Sequence, residues 1–124
     1  MSFAAMLQQI VDGCSGAIGA ALMGNDGVPI EEVIAQDAWD KGLGEEIANA
    51  GVEFGRILDE IRKASDAMSA GTVHETVISL ARFTLIFRGV DAETFLVVIL
   101  EPDGNLGKAR YLMRRQLHAI RQEF

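Results

Sequence analysis

Residues 45–71 read EEIANAGVEFGRILDEIRKASDAMSAG, and the way that stretch must pack decides the fold. Glu45 and Glu46 stand where a helix N-terminus favours negative charge, and Gly71 stands just past the far end, where a left-handed cap suits glycine. About 25 residues at 1.5 Å each make a helix roughly 38 Å long, comparable with the width of a small domain, so one helix can cover a whole sheet face. Ile47, Ala50, Phe54, Ile57, Ile61, Ala64 and Met68 recur at three- and four-residue spacing. Ala48, Gly51, Val52, Gly55 and Leu58 form a second stripe of smaller residues beside them. Two stripes imply two packing partners. Glycine inside a helix costs about 1 kcal/mol relative to alanine, so Gly51 and Gly55 ask for close backbone approach. A second copy of the same helix is favoured to supply it, and the chain's own sheet is the alternative.

Outward from this helix, toward the N-terminus, Phe3, Met6, Leu7, Ile10, Val11 and Cys14 place one apolar stripe on a first helix, ended by Gly13 and the Ser15-Gly16 pair. Residues 17–23 read as a strand of small and apolar residues, and Gly24-Asn25-Asp26-Gly27 carries the Asp-Gly signal of a tight hairpin. Residues 28–35 return, with Pro29 marking an edge because proline cannot donate a ladder hydrogen bond. Residues 36–44 are a polar connection whose one large apolar group, Trp39, is expected to anchor on the domain.

Toward the C-terminus, residues 72–80, 82–87 and 94–100 are rich in Thr, Val, Ile and Phe, and their links are short enough to favour an antiparallel meander. His74, Glu75 and Thr76 suit a less buried edge strand. Pro102-Asp103-Gly104 turns the chain, Asn105 caps, and Leu106, Ala109, Met113, Leu117, Ile120 and Phe124 mark the core face of a last helix. Residues 17–23 and 95–100 are apolar at successive positions, so both of their sides must be covered and they belong in the sheet centre. The expected architecture is one domain, 1–124, of the α/β (α+β) class. Its order is α-β-β-α-β-β-β-α, a three-layer sandwich with the terminal helices on one face of a five-stranded antiparallel sheet and the long helix on the other.

Charge and chemistry narrow the function. The net charge is −7, and it is uneven: residues 1–60 hold eleven acids against Lys41 and Arg56, whereas residues 61–124 hold nine basic and seven acidic residues. A negative overall field argues against nucleic acid as the main partner, and the basic last helix reads as a solvated face. The longest apolar run, residues 95–100, is too short to span a bilayer, and the N-terminus shows no targeting pattern. A single cysteine, Cys14, allows no internal disulfide and fits a reducing cytoplasm. Neither Cys14 with His74 or His118, nor the dispersed acids Asp12, Glu31, Glu32, Asp59 and Glu60, forms a catalytic constellation. Residues 104–108, GNLGK, lack the spacer and the hydroxyl residue of a phosphate loop, and no second ligand joins His74 at metal-binding spacing. The chain is therefore expected to be no enzyme and to carry no cofactor and no metal.

The hairpin at residues 23–28, MGNDGV, the long glycine-bearing helix and the GNLGKAR lead-in to the last helix at 104–110, in this order, resemble the Roadblock/dynein light-chain family over essentially the whole chain. Within it they look most like the bacterial MglC/MglB-type polarity regulators, which act with a Ras-like GTPase in cell polarity and motility. The resemblance implies a homodimer whose sheet continues through a two-fold axis, the long helix and the third strand of each copy facing their counterparts. On this sequence that maps to Ile47, Gly51, Phe54, Gly55 and Leu58 and to Thr72, His74, Thr76 and Ile78. It further implies a non-catalytic adaptor that binds a related Roadblock protein, such as an MglB-like one, or a polarity regulator. The hairpin residues Asn25, Asp26 and Val28 and the acidic N-terminal half are its expected partner surface. The short N-terminus and the end at Phe124 look more like MglC than MglB. An MglB-like GTPase-activating protein acting directly on a Ras-like GTPase is the alternative.

Overall fold

The computed structural model describes residues 2–124. The chain runs α1 (Phe3–Gly13), β1 (Ala17–Gly24), β2 (Pro29–Ile34), α2 (Gln36–Asp40), α3 (Gly44–Ala67), β3 (Glu75–Ser79), β4 (Thr84–Gly89), β5 (Thr94–Leu100) and α4 (Leu106–Gln122). The strands form one antiparallel sheet in the order β2-β1-β5-β4-β3. The two fully apolar runs, β1 and β5, are neighbours, and β5 lies at the centre with every residue buried.

Side-chain alternation divides the core into two layers. Leu96, Val98 and Leu100 of β5 join Met6, Leu7 and Ile10 of α1 and Met113, Leu117 and Ile120 of α4 on one face. Phe95, Val97 and Ile99 join Met23, Leu85 and Phe87 beneath α3 on the other. Pairing of Ala17 with Leu100 and of Gly19 with Ile99 leaves Ile18 as the extra residue of a bulge. Ile18 and Gly19 therefore both address α3: Ile18 is buried in that layer, and a Cβ on Gly19 would lie 2.7 Å from Ile47.

The helix starts are set by short side chains. Ser2 Oγ accepts from the Ala5 amide at 3.1 Å, and Asn105 Oδ1 accepts from the Lys108 amide at 3.0 Å, each satisfying a donor that the first helical turn leaves free.

Four expectations change. The connection at residues 36–44 contains a short helix, α2, closed by the Lys41 amide donating to Asp37 O. Trp39 on it is only half an anchor: it is 48% exposed, and one face of its indole fills the space where a side chain on Gly44 would stand. The long helix stops at Ala67 rather than running up to a Gly71 cap, because Ser69 takes the left-handed conformation first at φ 54°, followed by Gly71 at φ 93°. Ser65 Oγ donates to Gly71 O at 2.6 Å and holds that reversal, so residues 72–74 still carry the chain toward the sheet. The third strand thus begins at Glu75 rather than Thr72, and Thr72 and His74 lie outside it.

Candidate interaction surface

At about 100° per residue, Gly44, Ile47, Gly51, Gly55 and Leu58 form one line along α3, and all of them are buried. This line faces the chain's own sheet. A Cβ on Gly51 would stand 3.5 Å from Met23 and Val97, and one on Gly55 would stand 3.0 Å from Phe95 Cζ. Gly55 makes room for the Phe95 ring and Gly51 lies in ordinary contact with Met23 and Val97, so both face the chain's own sheet, which corrects the favoured reading of Gly51 and Gly55 as contacts to a second helix. Ile47 and Leu58, expected at a dimer contact beside them, are also buried beneath the helix.

The other stripe is the one left over. Ala50, Phe54, Ile57 and Ile61 lie roughly a quarter turn round the helix from the buried line. Phe54 and Ile61 are half-buried at the margin of the α3 layer together with Ile78 and Phe83, while Ile57 is 47% exposed. Glu46 shows which way this flank points, because its carboxylate pairs at 3.0 Å with Arg82, between β3 and β4. Val52, on the opposite flank, approaches the β1–β2 hairpin at Gly27. The apolar flank of α3 therefore runs beside β3, whose outer edge has no strand partner in the sheet; Leu80, just past β3, is exposed, while the exposed Val77 stands on the opposite sheet face, beside Ile86 of the α1 and α4 layer.

Of the nine residues expected at a dimer contact, the structure brings Phe54, Thr76 and Ile78 to this margin. It places Thr72 and His74 on the exposed approach to β3 and turns Ile47, Gly51, Gly55 and Leu58 inward. Ile57 and Leu80 belong to the surface and were not on that expected set, although Ile57 stood in the large-residue stripe.

The hairpin is more committed than its sequence indicates. Asn25 Nδ2 donates to Ala92 O at 2.7 Å, and the Asn25 amide donates to Glu93 O at 2.8 Å, tying the turn to the β4–β5 loop. Asp26 Oδ1 accepts from the Val28 amide at 3.0 Å and closes the turn. Two of the three expected partner residues thus hold the turn itself. Val28 is 58% exposed, and Ile30 beside it on β2 is also exposed, at the other free edge of the sheet. Glu32 on this strand has its carboxyl pushed above the usual range, first by burial and then by the neighbouring Glu31.

The candidate nucleophile has no base. Cys14 is buried, its thiol donates to the Asn105 carbonyl at 3.3 Å, and burial raises its pKa, with Lys108 opposing. His74 precedes β3, and His118 on α4 contacts Gln122 at 3.2 Å. Among the described residues no group of three or more His, Cys, Asp or Glu could hold a metal ion, and no helix is long and apolar enough to cross a membrane. Alkylation of Cys14 by iodoacetamide at pH 8 is expected to be about 100-fold slower in the folded chain than in urea, and equal rates would place the thiol at the surface.

No protein-family model matches the sequence, and no curated protein matches it. Solved structures do. MglC from Myxococcus xanthus is 29% identical over 100% of both chains with a TM-score of 0.70. A Roadblock/LC7 domain from Streptomyces avermitilis has a TM-score of 0.80 at 17% identity over 99% of this chain and 98% of that one. Myxococcus xanthus MglB has a TM-score of 0.80 at 14% identity over 98% of this chain and 93% of its own.

Proposed function

We propose that this Roadblock-like chain is a homodimeric, non-catalytic adaptor of a small Ras-like GTPase module for polarity or motility, and that it binds a related Roadblock protein or a polarity regulator. The free edge of β3 beside the apolar flank of α3 carries the proposal. An unpaired strand edge and an exposed aliphatic stripe on the same side suit a second copy of themselves, edge to edge and flank to flank, around a two-fold axis. Likeness to MglC along the full length of both chains supports the adaptor reading. The β2 edge, with Val28 and Ile30 exposed beside Glu31 and Glu32, lies at the far side of the sheet and stays free for a different protein.

Titration against an MglB-type Roadblock protein at low and high salt tests the adaptor role. The expected result is binding that weakens with salt and falls at least about tenfold in Val28→Lys, without faster GTP hydrolysis by the Ras-like GTPase of the same module. Absence of binding at low ionic strength, or binding indifferent to Val28→Lys, would remove the β2-edge assignment. Accelerated GTP hydrolysis would replace the adaptor by a direct activator.

A further inference from the structure

A cavity of about 460 Å³ opens between the C-terminal half of α3, the approach to β3 and the β4–β5 loop. That size suits a small organic molecule. Its apolar wall is Leu58, Phe87 and Phe95, the two rings lying 5.7 Å apart at 55°.

Three guanidinium groups reach the same cavity from three elements: Arg62 from α3, Arg88 from β4 and Arg121 from α4. Arg121 donates from Nε and Nη2 to the carbonyl oxygens of Val90 and Gly89, which fixes it across the end of the sheet. Arg88 donates from Nη1 to Glu75 at 3.0 Å, and its Nε is buried with no acceptor, the one such side-chain atom among the described residues. Arg62 makes no ion pair or hydrogen bond among the described residues.

The acids of the wall leave donors in excess. Both oxygens of Glu75 are taken, one by Arg88 and the other by Arg110 at 2.6 Å. Asp91 accepts from the Glu93 amide through Oδ1, and Asp66 stands exposed on the rim. Arg62, Arg88 and Arg121 balance Asp66, Glu75 and Asp91 in charge around the cavity, but Glu75 is shared with Arg110 from outside it, so Arg88 keeps a donor with no acceptor.

We infer that this cavity binds a small organic monocarboxylate with an aromatic or branched aliphatic body. The body would rest among Val73, Val90 and Ala92 over the nearly buried floor of Leu58, Phe87 and Phe95, and the carboxylate would take guanidinium donors. A planar carboxylate matches the guanidinium fork, and a single negative charge disturbs a charge-balanced lining less than a phosphate dianion would. Every group that would hold the ligand belongs to one chain, and Thr72, His74 and Thr76 on the cavity wall also stand at the β3 edge proposed for the homodimer.

Benzoate serves as the probe, titrated into the isotope-labelled full chain and followed by amide chemical shifts. Saturable shifts are expected at residues 72–76 and 89–92. Binding by the neutral isostere benzamide is expected to be at least about tenfold weaker, as is benzoate binding to Arg62→Gln, whose half-exposed site spares the fold. Shifts that do not saturate, shifts confined to other elements, equal binding of benzamide, or an Arg62→Gln chain that binds benzoate as the parent does would each overturn it.

Discussion

Ile57→Asp is expected to raise the dissociation constant of the proposed homodimer about 100-fold or more, converting a dimeric mass into a monomeric one in light scattering across a concentration series. Ile57 projects from the flank of α3 that adjoins the free edge of β3, and it is already 47% exposed in the single chain. In the monomer an aspartate there keeps its water, so the far-UV spectrum and the melting temperature at low concentration should hold. In the dimer the carboxylate would be buried against another aliphatic flank, and a buried charge without a close partner costs several kcal/mol, of which about 2.7 kcal/mol already accounts for 100-fold. Gly55 makes a poor probe of the same contact, because a side chain there would press on Phe95 and disturb the fold first. A parent chain that is monomeric at every concentration would remove the homodimer, and a dimer untouched by Ile57→Asp would move its interface off this flank.

The inversion of the two α3 stripes shows where reading a sequence stops. Spacing puts Gly51, Gly55 and Leu58 in one stripe and Ile47, Ala50, Phe54, Ile57 and Ile61 in another; both faces exist, but Ile47 turns to the glycine side. Which face meets the sheet depends on volume rather than on hydrophobicity. Phe95 stands so tall that a side chain at position 55 would crowd its ring, while Gly51 lies in ordinary contact with Met23 and Val97, and those sheet residues are far from the helix in sequence. The strands at the centre were legible for the opposite reason: an unbroken apolar run such as Thr94–Leu100 can only be covered on both sides, whatever covers it. Exposure of β3 was legible too, from polar His74, Glu75 and Thr76, although Ser69 and Gly71 delay its start in a way no periodicity reports. The cavity was not legible at all. Arg62, Arg88 and Arg121 lie on three elements, and only the packed sheet brings them to one opening.

The junction that holds α1, β1, β5 and α4 together yields the largest expected loss of stability: Gly16→Val should lower it by about 3 kcal/mol, roughly 12 °C in melting temperature for a chain of this size. Gly16 has φ +84°, a conformation costing a β-branched residue about 1–2 kcal/mol on its own. Its missing Cβ would stand 2.5 Å from the Gly104 Cα, which is backbone and has no rotamer to yield. Relief would require the two loops to part, and three contacts hold them. The Glu101 amide donates to Gly16 O at 2.8 Å, the Asn105 amide donates to Ser15 O at 3.0 Å, and the Cys14 thiol donates to Asn105 O at 3.3 Å. Gly16→Ala should lose less than valine, because alanine lacks the branch that collides beyond Cβ, yet both should lose more than Gly42→Ala, whose Cβ meets nothing within 4 Å despite φ +75°. Chemical denaturation of the three variants separates backbone strain, common to all, from the loop collision at Gly16 and Gly104. Equal losses at Gly16→Ala and Gly42→Ala would show that the loops part freely and that the junction holds the two helix layers through the sheet alone.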